Sequence, residues 1–371
     1  MAARMDIAEI QKCISNSLDA EVIGAKRLAG IIGDSPSQYS KSPALWNAAF
    51  RHLGINAVYL PLDVDESRLG NLIAALRASD RFAGINVTVP HKIRIMAFMD
   101  DLDPGAARIQ AVNTVVKTSA GKLMGYNTDG EGFVQSVLTA QPGAPESFIE
   151  SLKGMDVLLL GAGGSARAVA FHVSAMLDGG QLLICNRTME RAATLAAEVK
   201  KGGGNAKAIR EEEIPTYART VGLIVNSTTK GQGGMRKLSS GQVTNLEPYS
   251  SLALADTPPF AESDLGKANF PRIGSEAAEA DIESNNQASM NLAKSIPQSV
   301  GFYDLIYHPQ ETVFLRHGRE TGHKTMNGKA MIINQAVIAF CERICSADLQ
   351  ARGIDTPETG KQILAVMYRA W

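Results

Sequence analysis

A glycine-rich turn near the middle of the chain has the spacing of a phosphate-binding loop. The apolar run Val157–Leu160 is typical of a strand, and Gly161-Ala162-Gly163-Gly164-Ser165-Ala166 follows it and opens a helical pattern. The first glycine permits a tight turn, the second lets the backbone approach a pyrophosphate, and the helix N-terminus supplies N–H donors. In this strand–turn–helix setting the motif predicts a dinucleotide site. A tight turn without a ligand is the alternative.

The end of the next predicted strand favours NADP as that dinucleotide. A site for NAD commonly ends this strand with an acidic residue, which binds the ribose 2′-hydroxyl. Here the strand ends in Asn186-Arg187-Thr188, and Arg191 follows one helical turn later. A guanidinium can bind a 2′-phosphate through two parallel hydrogen bonds. The alternative is that both arginines are solvated surface charges.

A lysine and an aspartate are candidates for proton transfer. Lys92 ends the segment Asn86–Lys92, at a predicted junction between a strand and a helix. In the first turn of a helix the dipole disfavours an ammonium, which would suit the lysine to acid–base work. Asp129 stands in the polar cluster Asn127-Thr128-Asp129-Gly130, which alone is typical of a turn. A solvated lysine and an ordinary turn are the alternatives.

The elements around these residues alternate between strands and helices, which predicts an α/β fold. A βαβα pattern begins at Leu28 and ends in a helix predicted over 91–102, and a second series begins at Met155 with the doubly wound pattern. We therefore predict a first domain over residues 1–130, a Rossmann domain over 131–325, and C-terminal helices over 326–371 that pack back on the first domain. The polar, aperiodic segment 258–299 is predicted to be an inserted surface loop that is partly helical at 275–284.

Composition and charge exclude several classes of protein. The chain has 37 Lys+Arg against 38 Asp+Glu, which gives no reason to expect nucleic acid or a membrane surface as a partner. No apolar run approaches the roughly 18 residues that a membrane span requires, and the N-terminus does not have the pattern of a signal peptide. The four cysteines, at 13, 185, 341 and 345, are scattered, which favours a reducing compartment. We expect a cytoplasmic monomer or homodimer without a metal site.

Taken in order, nine short motifs resemble those of the shikimate dehydrogenase family. They are Ser40/Ser42/Pro43, Asn86–Lys92, Ala111–Thr114, Asn127–Gly130, Gly161–Gly164, Asn186–Thr188, Asn226–Thr228, Asp304–Thr312 and Gln335-Ala336. The resemblance spans roughly residues 28–340, interrupted by 258–299.

The resemblance implies an N-terminal substrate domain, a Rossmann NADP domain, and the reduction of 3-dehydroshikimate to shikimate by NADPH. It implies that Lys92 and Asp129 form the catalytic pair, without assigning the proton to either. The implied substrate-binding residues are Ser40 and Ser42 for the carboxylate and, for the ring hydroxyls, Thr88, Asn113, Asp129, Tyr307 and Gln335. The implied cofactor-binding residues are Gly161, Ala162, Gly163, Gly164, Ser165, Asn186, Arg187, Thr188, Arg191, Ser227 and Thr228.

Some positions depart from the family's usual pattern. Tyr39 and Trp46 stand where histidine is common, and Gln110 stands where glycine usually occurs. Because these changes surround the substrate carboxylate more than the cofactor, quinate or another shikimate-like acid is the nearest alternative substrate. A regulator that binds NADPH and a metabolite without catalysis is a further alternative, and the intact Lys92 and Asp129 argue against it.

Overall fold

The computed structural model describes residues 2–237, 240–261 and 270–371, which fall into two compact units. The first unit comprises residues 1–133 and 332–371, and the second comprises 134–331. Both units are α/β, as the alternation of elements predicted. The limits of the units lie three residues after the predicted boundary at 130 and six after the one at 325.

The strands and helices are numbered along the chain. The strands are β1 (Arg27–Gly33), β2 (Ala57–Asp63), β3 (Phe82–Val87), β4 (Asp101–Leu102), β5 (Thr114–Lys117), β6 (Leu123–Tyr126), β7 (Val157–Leu160), β8 (Leu182–Cys185), β9 (Ala206–Ile209), β10 (Leu223–Asn226), β11 (Met235–Lys237), β12 (Gln242–Asn245), β13 (Phe260–Ala261), β14 (Gly301–Asp304) and β15 (Thr325–Met326). The α-helices are α1 (Ala2–Cys13), α2 (Ala20–Ile23), α3 (Pro36–Tyr39), α4 (Ser42–Leu53), α5 (Leu69–Ala78), α6 (Pro104–Ile109), α7 (Asp129–Leu138), α8 (Gly164–Met176), α9 (Met189–Lys201), α10 (Ile214–Tyr217), α11 (Phe270–Ser295), α12 (Val313–Glu320), α13 (Lys329–Ile338), α14 (Ser346–Ala351) and α15 (Pro357–Ala370).

The first unit is built on a six-stranded mixed sheet with the order β2-β1-β3-β5-β6-β4. Strands β2, β1 and β3 are parallel, as predicted, whereas β5 pairs antiparallel with both β3 and β6. The predictions did not include β5 and β6. Only five residues join these two strands, and such a short connection allows only an antiparallel pair.

Helices cover both faces of this sheet. Successive residues of β1 point to opposite faces, so Leu28 and Ile32 join a core with α1 and α5, whereas Ala29 and Ile31 join a core with α4 and α15. The second core contains Phe340, which lies beyond α13 in the π-helical turn Ala339–Ile344. The C-terminal helices therefore return to the first unit, as predicted.

The helix predicted over 91–102 is wrong. The chain makes a turn around Lys92, followed by a 3-10 helix at Arg94–Phe98 and by β4. Contacts with other segments hold the turn: the Lys92 carbonyl accepts a hydrogen bond from the Val112 amide at 2.8 Å, and His91 Nε2 lies 2.7 Å from the Val64 carbonyl oxygen. Lys92 is therefore not in the first turn of an α-helix, and the dipole argument for its chemistry does not apply.

Gln110 occupies a backbone position that explains one departure from the family pattern. It ends α6 in the left-handed region, with φ 59°. Glycine is favoured at such a helix end because it has no Cβ to strain the backbone. The glycine that usually precedes A-V-N-T in the family suits this conformation, and the chain tolerates glutamine there.

The second unit is a doubly wound sheet with the order β15-β14-β10-β7-β8-β9 and parallel pairing throughout. This is the strand order of a Rossmann domain, which confirms the predicted class. A separate antiparallel sheet, β11-β12-β13, was not predicted.

The prediction of a surface loop over 258–299 is also wrong. Most of this segment is the 26-residue helix α11, although 262–269 lie outside the described residues. The buried side chains of its later turns are Ala278, Asn285, Ser289, Leu292 and Ala293. Their spacing of three, four or seven residues forms one helical face. The segment therefore contributes to the core of the second unit. None of the described helices is long and apolar enough to cross a membrane.

Candidate active site

Lys92 and Asp129 form a hydrogen-bonded ion pair in the first unit. Lys92 Nζ lies 2.6 Å from Asp129 Oδ2, and the side chains are 23% and 10% exposed. Asp129 is the first residue of α7, where a carboxylate is stabilised by the helix dipole. The structure thus brings together the two residues predicted to form the catalytic pair, in a site with limited access to water.

Asn113 holds the carboxylate of Asp129 from the other side. Its Nδ2 donates to Asp129 Oδ1 at 2.8 Å, and its Oδ1 accepts hydrogen bonds from the Thr128 amide at 2.9 Å and from Thr114 Oγ1 at 2.9 Å. All four residues are buried. Because both ends of the Asn113 amide are bonded, its orientation and that of Asp129 are fixed.

Gln335 joins this cluster from α13. Its Oε1 lies 3.2 Å from Thr128 Oγ1 and 3.4 Å from Asn113 Nδ2. The close packing depends on Gly132, because a Cβ at that position would lie 2.6 Å from the Gln335 backbone nitrogen. Gly132 therefore lets α7 and α13 approach closely enough for Gln335 to reach Thr128.

Ser40, Ser42 and Thr88 lie near the carboxyl ends of the parallel strands β1 and β3. The Ser42 amide donates to Ser40 Oγ at 3.2 Å, so the two serines form one local unit at the start of α4. Lys41 is the N-cap of this helix. The Thr88 amide donates to the Ile32 carbonyl at 2.9 Å, which fixes the turn after β3. Ligands of open parallel sheets bind at this edge.

Two buried residues that sequence reasoning did not assign connect the serines to Asn113. Tyr59 shares a hydrogen bond with Ser42, and its hydroxyl donates to Asn86 Oδ1 at 2.7 Å. Asn86 Nδ2 donates in turn to Thr114 Oγ1 at 3.0 Å. Hydrogen bonds therefore run without a break from Ser42 to Lys92.

The environment of Tyr59 explains why its hydroxyl acts as a donor. Burial raises the pKa of Tyr59, and the hydrogen bond with Ser42 opposes this shift only in part. Trp46 stacks on its ring, with centroids 4.7 Å apart. Trp46, which departs from the family pattern, thus packs against the network from the core and is not part of it. The alternating pattern of their segments marks both Tyr59 and Asn86 as strand residues. The available sequence signal for a role in the site was a polar residue, Asn86, within an apolar run.

Tyr307 belongs to the second unit. It follows β14, and burial raises its pKa. Asp304 stabilises the motif Asp304–Thr312, which contains Tyr307. Its carboxylate accepts hydrogen bonds from Asn226 Nδ2 at 3.0 Å and Thr312 Oγ1 at 2.7 Å. Burial raises the pKa of Asp304 to about 7, against the effect of these bonds. Asn226 and Asp304, which belong to two of the motifs, therefore have a structural role here.

The glycine turn after β7 has the geometry that a pyrophosphate requires. Gly161 has φ 112°, and a Cβ there would lie 2.5 Å from Ser227 Oγ. Only glycine suits this conformation and this close approach. Helix α8 begins at Gly164 with Gly163 as its N-cap, and its first turn has no acidic residue to repel an anion. The motif thus has the strand–turn–helix context that the sequence predicted.

The predicted cofactor residues line one cavity of the second unit, of about 260 Å³. The lining includes Gly161, Ala162, Gly163, Asn186, Arg187, Thr188, Arg191, Ser227 and Thr228. Gly164 and Ser165, which were also predicted, lie in the first turn of α8 outside this lining. Arg187 and Arg191 are exposed to solvent, and Asn186 Nδ2 donates to the Thr188 carbonyl at 2.9 Å. These residues fit a phosphorylated dinucleotide: a glycine turn, amide donors at a helix start, and two guanidinium groups after β8.

No metal site accompanies these groups in the described part of the chain, where no cluster of three or more potential ligands occurs. Cys341 and Cys345 are free thiols, and burial raises the pKa of Cys341 to about 12. A thiol with a raised pKa is a poor metal ligand, since the thiolate is the binding form. The first unit can thus move protons within a hydrogen-bonded network, and the second can hold a dinucleotide.

Comparisons with known proteins agree with this description of the first unit and of the second unit. A family profile described as the shikimate dehydrogenase substrate binding domain matches residues 31–115, and one described as shikimate / quinate 5-dehydrogenase matches residues 144–250. Shikimate dehydrogenase (NADP(+)) of Carboxydothermus hydrogenoformans is 33% identical, over 85% of this chain and 91% of the relative. The enzyme of the same name from Desulforamulus reducens is 35% identical, over 85% of this chain and 89% of the relative.

A solved structure extends the similarity to three dimensions. It is the shikimate 5-dehydrogenase of Thermus thermophilus in complex with NADP(H) and shikimate, 27% identical, with a TM-score of 0.62. The comparison covers 93% of this chain and all of the other.

Proposed function

Since the chain belongs to the shikimate dehydrogenase family, we propose that it reduces 3-dehydroshikimate to shikimate and that Lys92 and Asp129 transfer the proton. The chain is an NADP-dependent oxidoreductase. The observation that carries the catalytic assignment is the contact of 2.6 Å between Lys92 Nζ and Asp129 Oδ2, held by Asn113. All four cysteines are free thiols, which supports the cytoplasmic location that we also propose, as a monomer or homodimer.

NADPH, when bound, supplies the hydride for the carbonyl carbon. As that carbon is reduced, its oxygen gains negative charge and needs a proton. The Lys92 ammonium stabilises this charge, and the Lys92–Asp129 pair supplies the proton. In the oxidation of shikimate the same pair removes the hydroxyl proton. Because the two groups share a hydrogen bond, their protonation belongs to the pair, and we assign the proton to neither residue alone.

The remaining residues of the first unit position the ring. We propose that Ser40 and Ser42 donate hydrogen bonds to the substrate carboxylate, as charge-assisted bonds of this kind are strong. Thr88, Asn113 and Gln335 would bind ring hydroxyls, together with Tyr307 of the second unit. The network through Tyr59 and Asn86 supports this assignment, because it fixes the serines relative to Asn113 before substrate arrives.

Steady-state kinetics with NADP⁺ test the choice of substrate. We expect a higher kcat/KM for shikimate than for quinate, because quinate carries an extra hydroxyl and a puckered ring at the carbon that bears the carboxylate. The double variant Ser40→Ala with Ser42→Ala should lower kcat/KM for shikimate by roughly 100-fold, since the carboxylate loses two charge-assisted hydrogen bonds. A preference for quinate would contradict the assignment of shikimate, and absence of turnover with both acids would favour the regulator.

The exposed position of Arg187 leads to a prediction about cofactor choice. Replacing it with aspartate should weaken NADPH binding by roughly 100-fold or more, because a carboxylate would face the 2′-phosphate. NADH lacks that phosphate, so its affinity should change much less. Dissociation constants for both cofactors, from quenching of protein fluorescence, measure the difference. An equal change for NADPH and NADH would show that Arg187 does not contact the 2′-phosphate.

A further inference from the structure

One wall of the cofactor cavity comes from the segment that contains the unpredicted antiparallel sheet. Arg236 lies on β11, and four further residues from this segment line the same cavity: Leu246, Ser251, Ala255 and Thr257. None of them belongs to a motif that the sequence analysis assigned to the cofactor. The segment therefore contributes to the site in a way that the family motifs do not describe.

The cavity carries more positive charge than Arg187 and Arg191 provide. Its lining contains four cationic side chains and one carboxylate, that of Glu211. Lys230 Nζ lies 3.3 Å from Glu211 Oε1, so these two charges offset each other. The other three are the guanidinium groups of Arg187, Arg191 and Arg236, and none of them pairs with a carboxylate within residues 2–237, 240–261 and 270–371. Like charges in one cavity repel each other unless an anion binds between them.

Arg236 lines the cavity together with the residues that follow β8. The sheet order puts β8 and β9 on one side of β7 and β10 on the other. Lys230 follows β10 but reaches Glu211, which follows β9, so the chain after β10 crosses the carboxyl ends of β7 and β8. Arg236 donates a hydrogen bond to Thr229, the residue before Lys230. It lines the same cavity as Arg187 and Arg191, which follow β8, the strand end at which the 2′-phosphate of NADP binds in a Rossmann domain.

Ser251 gives independent evidence that this wall meets a ligand. Its side chain is 4% exposed, lines the cavity, and its hydroxyl has no hydrogen-bond partner among the described residues. A buried polar group without a partner is costly and rare in a native protein. A ligand that brings a hydrogen-bond acceptor to this wall would satisfy it.

We propose that Arg236 is a third arginine on the 2′-phosphate and that Ser251 donates a hydrogen bond to the adenosine. The wall formed by Arg236, Leu246, Ser251, Ala255 and Thr257 is then a determinant of NADP specificity in this chain. The 2′-phosphate carries about two negative charges at neutral pH, which three guanidinium groups can surround. This inference rests on the assignment of NADP as the cofactor and goes beyond it by naming a further specificity residue.

Calorimetric titration of the full-length protein tests the proposal without turnover. The probes are adenosine 2′,5′-bisphosphate, which carries the 2′-phosphate, and 5′-AMP, which lacks it. We expect Arg236→Gln to weaken binding of the bisphosphate by roughly 10- to 100-fold and that of 5′-AMP by less than about 3-fold. Ser251→Ala should weaken both probes by the same factor, because both contain adenosine.

Two further variants separate the possible outcomes. Arg219→Gln removes an exposed arginine outside the cavity and should change neither probe, which excludes a general effect of net charge. Arg187→Gln should discriminate between the probes as Arg236→Gln does. If Arg187→Gln discriminates and Arg236→Gln does not, the role of Arg236 is wrong while the NADP site stands. If neither discriminates, the location of the 2′-phosphate is wrong as well. An equal loss of both probes in Arg236→Gln would place this arginine on the 5′-phosphate and overturn the proposal.

Discussion

Replacing Lys92 with alanine is expected to lower kcat for shikimate oxidation by roughly 100-fold or more, the usual size of a lost acid–base group. The ammonium lies 2.6 Å from Asp129 Oδ2 and is only 23% exposed, so water cannot easily take its place. KM for shikimate should change far less, because Ser40 and Ser42 hold the carboxylate independently. Steady-state kinetics with NADP⁺ measure both constants.

The control for this prediction is Lys122→Ala, which removes an exposed lysine of the same unit. It should leave kcat unchanged. Thermal melting of the Lys92 variant should show a folded protein, since Asp129 keeps its hydrogen bond from Asn113. A folded Lys92→Ala variant with near-normal kcat would contradict the catalytic role. A rise in KM alone would instead place Lys92 among the groups that only bind substrate.

The sequence predicted that Lys92 and Asp129 form a pair but not the network that holds them. Lys92 and Asp129 were identified because each stands in a motif with a recognisable order along the chain. Tyr59 has no motif, and its hydroxyl reaches Ser42 and Asn86 through the fold of β1, β2 and β3. Hydrogen bonds between residues distant in sequence leave no local pattern, so only coordinates could place Tyr59 in the site.

The helix-dipole argument for proton transfer by Lys92 was wrong, and the role of Lys92 itself stays a proposal. Apolar residues at 93, 95, 96 and 98 have a helical spacing, which predicted a helix after Pro90. Instead, the Val112 amide donates a hydrogen bond to the Lys92 carbonyl, and His91 Nε2 lies within hydrogen-bond distance of the Val64 carbonyl oxygen. Local spacing cannot anticipate such long-range partners. The proposed role of Lys92 therefore rests on its contact with Asp129 and its partial burial rather than on a helix dipole.

Four of the six strands of the Rossmann sheet were predicted, whereas its edge strands β9 and β15 were not. Strands β7, β8, β10 and β14 are short apolar runs that are buried on both faces, which makes them easy to identify. The full extent of helix α11 and its place in the core were missed because its buried face includes small and polar side chains, such as Asn285, Ser289 and Ala293. A search for large apolar residues at helical spacing cannot find such a face. The pattern favoured a loop, and the structure shows a core helix.

Removal of α11 should consequently abolish folding of the second unit. Asn285 bonds four backbone groups of one turn: it accepts from the Ser250 amide at 2.8 Å and donates to the carbonyls of Ser250, Ala253 and Leu254. Ala293 is fully buried in a cluster with Phe302 and Phe314. Shortening 258–299 to a few residues would expose that cluster and leave the bonded turn without partners. We expect an aggregated protein that does not bind NADPH, as judged by size-exclusion chromatography and fluorescence titration.

A point substitution in α11 tests the contribution of its packing to stability without removing any part of the chain. Asn285→Ala should lower the free energy of unfolding by about 3 kcal/mol, because a buried amide and several carbonyls lose their partner together. Gln287 lies on the exposed face of the same helix, and among the described residues its side chain bonds only Asn291, at 2.9 Å. Gln287→Ala should change the free energy of unfolding by less than about 0.5 kcal/mol. Urea unfolding of both variants decides the matter: equal stability would mean that α11 does not pack through Asn285. A shortened chain that still folds and binds NADPH would instead support the surface loop that the sequence predicted.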